Sequence, residues 1–388
     1  MSRASIQLRY APRVRALCPQ EIDALNPTSA RGLLAAVLAT TATGAALAAT
    51  ASAPAGATPL AAASAGKPLA AASVPLKPTV VAKPASGPAM PASAATAAAT
   101  RSTADILKDA PASAWRTTDP AHVLRMTLPT GQVWLELAPR FAPKHAANIG
   151  TLVSQHYFDG LAVVRVQDNF VTQWGDPDAD SPKARGLGAA KPALAPEFSI
   201  DDRNLAIAKL KDHDVWAPVT GFVDGFPVAA DPAHHQAWIA HCYGTVGAGR
   251  GDTVDSGSGA ELYVVIGQSP RALDLNITAV GRVLQGMELL SSLPRGGPNM
   301  GFYDKPEQYV KIQKVQRLAD LPADERPAVQ VLRTESPAWA EIVESRRNRK
   351  DAWYVHRAGA IDVCNLNVPV RIVAPTATAA ASAASAPK

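Results

Sequence analysis

The stretch YFDGLAVVRVQDNFVTQWGDP, residues 157–177, decides the fold. It opens on a Tyr-Phe-Asp-Gly turn, runs through a β-branched segment and stops at Gly-Asp-Pro, the punctuation of a strand set between turns. Alternation over 163–166 turns Val164 and Val166 to one side and Arg165 to the other, and the loop that follows returns Phe170 and Gln173 to the guanidinium. Upstream, Leu124, Met126 and Leu128 alternate, Pro129-Thr130-Gly131 supplies a turn, and Val133, Leu135 and Leu137 alternate again. That is a hairpin. Ala142-Pro143 then opens a helix whose Ala146, Ile149, Leu152 and Val153 share one face, with Pro in the first turn where its missing N–H does no harm.

Downstream, GAELYVVIGQSPRALDLNITAVGRVLQGMELLSSL, residues 259–293, offers a strand, a Leu-Asp turn, a Gly-Arg-Val strand and a short helix. With the hairpin, the helix and the Arg, Phe, Gln spacing of the first block, it resembles the cyclophilin family of peptidyl-prolyl isomerases over about residues 121–295. Two separated blocks in the right order are more specific than any single motif. The resemblance implies a mainly β fold, an eight-stranded antiparallel barrel capped by two helices, whose closure removes sheet edges. Residues 199–243, between Glu197-Phe198 and the strand near Gly244, read as an insertion. A C-terminal extension runs over 318–372, in which Pro337–Arg347 is an amphipathic helix with Trp339, Ile342 and Val343 inward and cations at its C-terminal end. Neither added segment shows a large apolar face of its own.

The resemblance also implies the chemistry. Arg165 matches the catalytic arginine, Gln173 the amide that orients it, Phe170 the floor of the proline pocket and Tyr263 a pocket-wall Phe with a hydroxyl added. Leu273 of the Leu-Asp turn, Glu261, Gly249 and Arg250 complete the expected substrate-binding set. No cofactor or metal is implied. Several residues depart from the family pattern: Trp174 replaces a Gly, Glu261 a Gln, Ala272 an aromatic or His, Ile277 a His, and Ala248-Gly249-Arg250-Gly251 a Met-Ala-Asn-Ala wall. Glu261 is placed to pair with Arg165, holding the guanidinium or competing for it. The expected activity is isomerisation of X-Pro bonds in exported polypeptides; the alternative is an inactive module of the same fold that binds Pro-containing segments.

Other signals in the sequence are weaker. Asp176, Asp178 and Asp180 mimic the start of a calcium loop, but Ser181 and Leu187 stand where it needs Gly and Glu, so a solvated turn is expected. His234, His235, His241 and Cys242 crowd together without any standard zinc spacing. Gly247, Gly249 and Gly251 lack the remaining marks of a dinucleotide fingerprint.

Composition confines all this to part of the 388 residues. No aromatic residue lies between Tyr10 and Trp115, and residues 51–100 hold 20 Ala and 8 Pro, which cannot build a packed core. The expected order is therefore a leader over 1–53, an Ala/Pro-rich linker over 54–110, the domain over 111–317, the extension, and a tail over 373–388. The sequence pI is about 9.1, yet residues 111–388 carry 28 basic and 29 acidic side chains. The excess of cations belongs to the leader and linker, and no nucleic-acid partner is expected. Gly32–Ala53 is an uncharged apolar run after Arg31 with two A-x-A sites, the pattern of a signal peptide, although a non-cleaved anchor also fits so long a leader. Export to the periplasm is expected, with membrane contact only if the anchor stays. Removal of Cys18 with the leader leaves Cys242 and Cys364 as a possible disulfide in an oxidising compartment.

Overall fold

The structure is a computed structural model that describes residues 100–349, 353–354 and 356–375. The expected leader with Cys18, most of the linker and nearly all of the tail lie outside them.

The chain begins with a short helix, α1 (Thr103–Asp109), and a strand, β1 (Trp115–Thr117). The hairpin β2 (Val123–Leu128) and β3 (Gly131–Leu137) follows, closed by a two-residue turn, and then α2 (Pro143–Ser154). The deciding stretch forms β4 (Ala162–Val166) and β5 (Val171–Gly175). Next come β6 (Ala208–Lys209), β7 (Val219–Val223), β8 (Phe226–Asp231) and β9 (Gln236–Ile239). After them stand β10 (Thr245–Ala248), β11 (Leu262–Val265), β12 (Ala279–Gln285) and α3 (Met287–Ser291). The chain ends with β13 (Val310–Lys311), β14 (Lys314–Arg317), β15 (Ala328–Leu332), α4 (Pro337–Arg347) and β16 (Val370–Val373).

Nine antiparallel strands form the main sheet in the order β13-β4-β5-β11-β10-β12-β3-β2-β14. Its two end strands are successive pieces of one segment. Between them the Ile312 N–H donates to Leu161 O (2.8 Å) and the Gln313 N–H to Thr127 O (2.9 Å), so the curled sheet's two edges are bridged by backbone. The expected eight strands thus become nine because the last one is split. Leu124, Met126, Leu128, Val133, Leu135 and Leu137 fill the interior as their alternation requires, and α2 covers one mouth with Ile149 and Leu152. The N-terminus of α2 has no side-chain cap of its own; Glu197 supplies one from a distance, accepting from the Lys144 N–H (2.9 Å) and the His145 N–H (3.0 Å).

Residues of the expected insertion build a separate four-stranded sheet, β6-β7-β8-β9, with both faces buried. Val223, Val228, Ala230, Ala237 and Ile239 face Ala138, Phe141 and Ala279 of the barrel. The intervening Phe222, Ala229 and Trp238 face a second core with Trp339, Ile342, Val331 and Leu332 of the extension and Ile106 of α1. Period-two alternation therefore serves two cores at once, and the insertion is the middle layer of three. The added segments do have an apolar face, contrary to expectation: it is divided among short pieces remote in sequence. The packed domain also includes residues before 111, because Ile106 is buried in that core and Ser102 caps α1. Cys242 and Cys364 are disulfide-bonded, with Cα atoms 4.8 Å apart, and so join the end of the insertion to the extension. No helix among the described residues is long and apolar enough to cross a membrane.

Candidate active site

A β-bulge aims the central side chain. In the β4–β5 pairing Val163 stands opposite Trp174, whereas Arg165, two residues on, stands opposite Gln173, so Val164 is the extra residue. Unbroken alternation over 163–166 does not hold: Val163 and Val166 both point into the barrel core, and the bulge throws Arg165 onto the outer face between them. Gln173, next to Arg165, and Tyr263, paired with Gln173, lie on that same outer face. Trp174 takes the inner one, which accounts for a large residue where the family has Gly.

Arg165 donates from Nη1 to Gln173 Oε1 (2.9 Å), from Nε to the Met300 carbonyl (2.7 Å), and from Nη2 to Gln167 Oε1. Its guanidinium carbon lies 5.6 Å from the Phe170 ring centroid and 5.1 Å from that of Phe302. The charge is thus fixed in plane by three acceptors and flanked by two aromatic faces. Gln173 is buried, and its Nε2 donates to Glu261. A cation on one side and a carboxylate on the other permit only one orientation of the amide. Glu261, the expected partner or competitor of Arg165, is therefore joined to it through Gln173.

Beside the guanidinium, Phe170 and Ile277 pack on Val171, Tyr263 and Val265 to form a small apolar patch. It offers an apolar surface next to the cation. The Tyr263 hydroxyl is turned away from it, 2.9 Å from His241 Nε2. The other expected residues form the rim. Gly249 donates its N–H to the Glu261 carbonyl (2.9 Å), and Leu273 sits half-buried in the 3-10 turn Arg271–Leu273. Arg250 is tied to backbone, through Nε to the Asn276 carbonyl (3.0 Å) and Nη1 to the Gly251 carbonyl (2.8 Å). It braces the wall. Ala272 is exposed, leaving that side open.

Gln167, Met300, Phe302 and His241 were not anticipated. Gln167 follows Arg165 by two residues, whereas Met300 and Phe302 lie in the loop after α3, whose Phe302 bridges to Arg165 across a gap that no local spacing records. His241 belongs to the His and Cys cluster that lacks any standard zinc spacing. Cys242 is oxidised, His234 pairs with Asp231 (2.7 Å), and among the described residues no group of three His, Cys, Asp or Glu stands close enough to hold an ion.

Residues 123–317, half of the chain, match the profile of the family described as cyclophilin type peptidyl-prolyl cis-trans isomerase/CLD. Over 201 residues the chain is 26% identical to a probable peptidyl-prolyl cis-trans isomerase of Brucella suis, covering 50% of this chain and 82% of that protein. A protein of the same description from Brucella abortus matches to the same extent. Among solved structures, the crystal structure of a cyclophilin from Hirschia baltica matches 67% of this chain and 94% of its own, with 25% identity and a TM-score of 0.54.

Proposed function

The chain belongs to the cyclophilin-type peptidyl-prolyl cis-trans isomerases, and from that premise we propose that Arg165 lowers the barrier to X-Pro rotation in exported polypeptides by donating to the prolyl nitrogen. Rotation about the bond faces about 18–20 kcal/mol because the nitrogen lone pair is delocalised into the carbonyl. As the amide twists, the lone pair returns to nitrogen and becomes a better acceptor. A guanidinium placed there binds the transition state more strongly than either planar isomer, which is the requirement for catalysis. The observation that carries the reading is the bulge that sets Arg165 on the outer face, beside Gln173 and the Phe170–Tyr263 patch. Proline fills the patch, Gln173 orients the arginine, and Glu261 fixes Gln173. The chemistry asks for no cofactor.

The test is the refolding of a polypeptide whose slow phase is limited by an X-Pro bond, with the full chain added in catalytic amount. Acceleration of that phase supports the reading. Unchanged kinetics with measurable binding of a Pro-containing peptide would favour the inactive binding module.

Export to the periplasm is part of the same proposal. It is supported by the uncharged run after Arg31 and its A-x-A sites at Ala46-Leu47-Ala48 and Ala49-Thr50-Ala51. Intact-mass measurement on protein recovered from the envelope fraction is expected to give a mature chain beginning at Ala49 or Ser52. A full-length species retained in the cytosol would contradict export.

A further inference from the structure

Tyr263 connects the proline-sized patch to the insertion. Its ring passes over Gly247, its neighbour in register on β10; a Cβ there would come within 2.3 Å of the ring carbon that bears the hydroxyl. Only glycine leaves that path open, and at its end stands His241 Nε2. The imidazole is itself held. Its Nδ1 (2.9 Å) and its backbone N–H (3.0 Å) both meet Asp274 Oδ1, while Asp274 Oδ2 accepts from Trp238 Nε1 (3.0 Å) and Arg271 Nε (2.6 Å). Arg271 continues to Asp214 of the insertion (3.0 Å). All the side chains of this chain, from Tyr263 to Asp214, are buried.

The protonation pattern follows from the partners. Burial alone would raise the Asp274 carboxyl, but the His241 hydrogen bond and the Arg271 charge hold it below the usual carboxylate range. In the neutral imidazole, an ionised Asp274 takes the Nδ1 proton, which leaves Nε2 to accept from the Tyr263 hydroxyl. Burial also pushes the phenol well above its ordinary value, with the Asp274 charge adding to the effect, so Tyr263 stays neutral.

We infer that His241 is a positioning residue. By taking the Tyr263 hydroxyl it turns that group away from the pocket and holds the ring as an apolar wall for proline, so that the insertion sets the fit of the site. The inference rests on the proline-pocket reading above. It explains how a Tyr serves where the resemblance expects Phe, and why the segment carrying Trp238 and His241 packs against the Leu-Asp turn.

The test measures peptide affinity by titration, and kcat and KM for an X-Pro peptide, on the full chain. His241→Leu is expected to weaken Kd and raise KM about tenfold with kcat within about twofold, the order of effect of one orphaned buried hydroxyl. His241→Gln, whose amide can accept from Tyr263 and donate to Asp274, is expected to keep most of the affinity. Adding Tyr263→Phe to His241→Leu is expected to recover most of the loss, because no unpaired hydroxyl remains. A purely structural role for His241 gives no such recovery. Unaltered affinity in His241→Leu, or a loss that Tyr263→Phe does not relieve, overturns the inference while leaving the enzyme reading standing. A wild type that neither binds nor turns over the peptide overturns both.

Discussion

Arg165→Ala is expected to lower kcat/KM for an X-Pro peptide by about a hundredfold, the lower end of what losing one preorganised donor at a transition state costs. The estimate follows from what the side chain does. Binding of the proline ring is left to Phe170 and its neighbours, so the loss should fall on kcat rather than KM, as for an interaction made only in the transition state. Arg165→Lys keeps the charge but cannot reproduce the planar contacts to Gln173, Gln167 and the Met300 carbonyl. It is expected to stay at least about tenfold impaired. Arg165 is only half-buried and lies outside the barrel core, so thermal unfolding should shift by no more than a few degrees. Steady-state rates and melting curves of both variants check this. A wild-type rate in Arg165→Ala would remove the arginine from the chemistry.

The second large effect concerns stability. Cys242 and Cys364 close a loop with a sequence separation of 122 residues. In the chain-entropy model such a link is worth about 5 kcal/mol, which translates to roughly 10–20 °C in Tm for a domain of this size. Cys242→Ala with Cys364→Ala is therefore expected to melt lower by that margin, measured in oxidising buffer. Most of the loss should fall on the layer formed by the insertion and the extension, because the bond joins those two and not the barrel strands. Thiol titration of unfolded, unreduced protein provides the companion check, with neither Cys242 nor Cys364 expected to react. Reactive Cys242 and Cys364, or a double variant as stable as the parent, would contradict the bond or its importance.

The barrel was legible because its signals are local. Alternating residues marked β2 and β3, the shared face of Ala146, Ile149, Leu152 and Val153 marked α2, and Trp339, Ile342 and Val343 marked the buried side of α4. Site residues were legible only through their spacing inside two matching blocks. What escaped depends on pairing between distant segments. The bulge at Val164 is a property of the β4–β5 register, which period-two reasoning, pairing Val164 with Val166 opposite Arg165, does not contain. Trp238 and Phe222 gain their core only when the extension and α1 arrive, so the insertion shows no large apolar face when read alone. His241 invited a metal reading because it sits beside Cys242 in the chain. In space its partners are Tyr263 and Asp274, 22 and 33 residues away. Met300 and Phe302 lie in a Gly- and Pro-rich loop with no periodicity, and only tertiary contact makes them neighbours of Arg165.

The central claim is that the site built on the bulge of β4 catalyses rotation about a prolyl bond. Two-dimensional exchange NMR on a short Ala-Pro peptide, with the full chain at catalytic concentration, tests it most directly because cis and trans resonances are followed in the same sample. Uncatalysed exchange takes tens to hundreds of seconds, too slow to transfer magnetisation between the isomers. The account predicts cis–trans cross-peaks that grow with mixing time in the presence of the wild-type chain and fade with Arg165→Ala. Binding shifts on the peptide without exchange cross-peaks would contradict it.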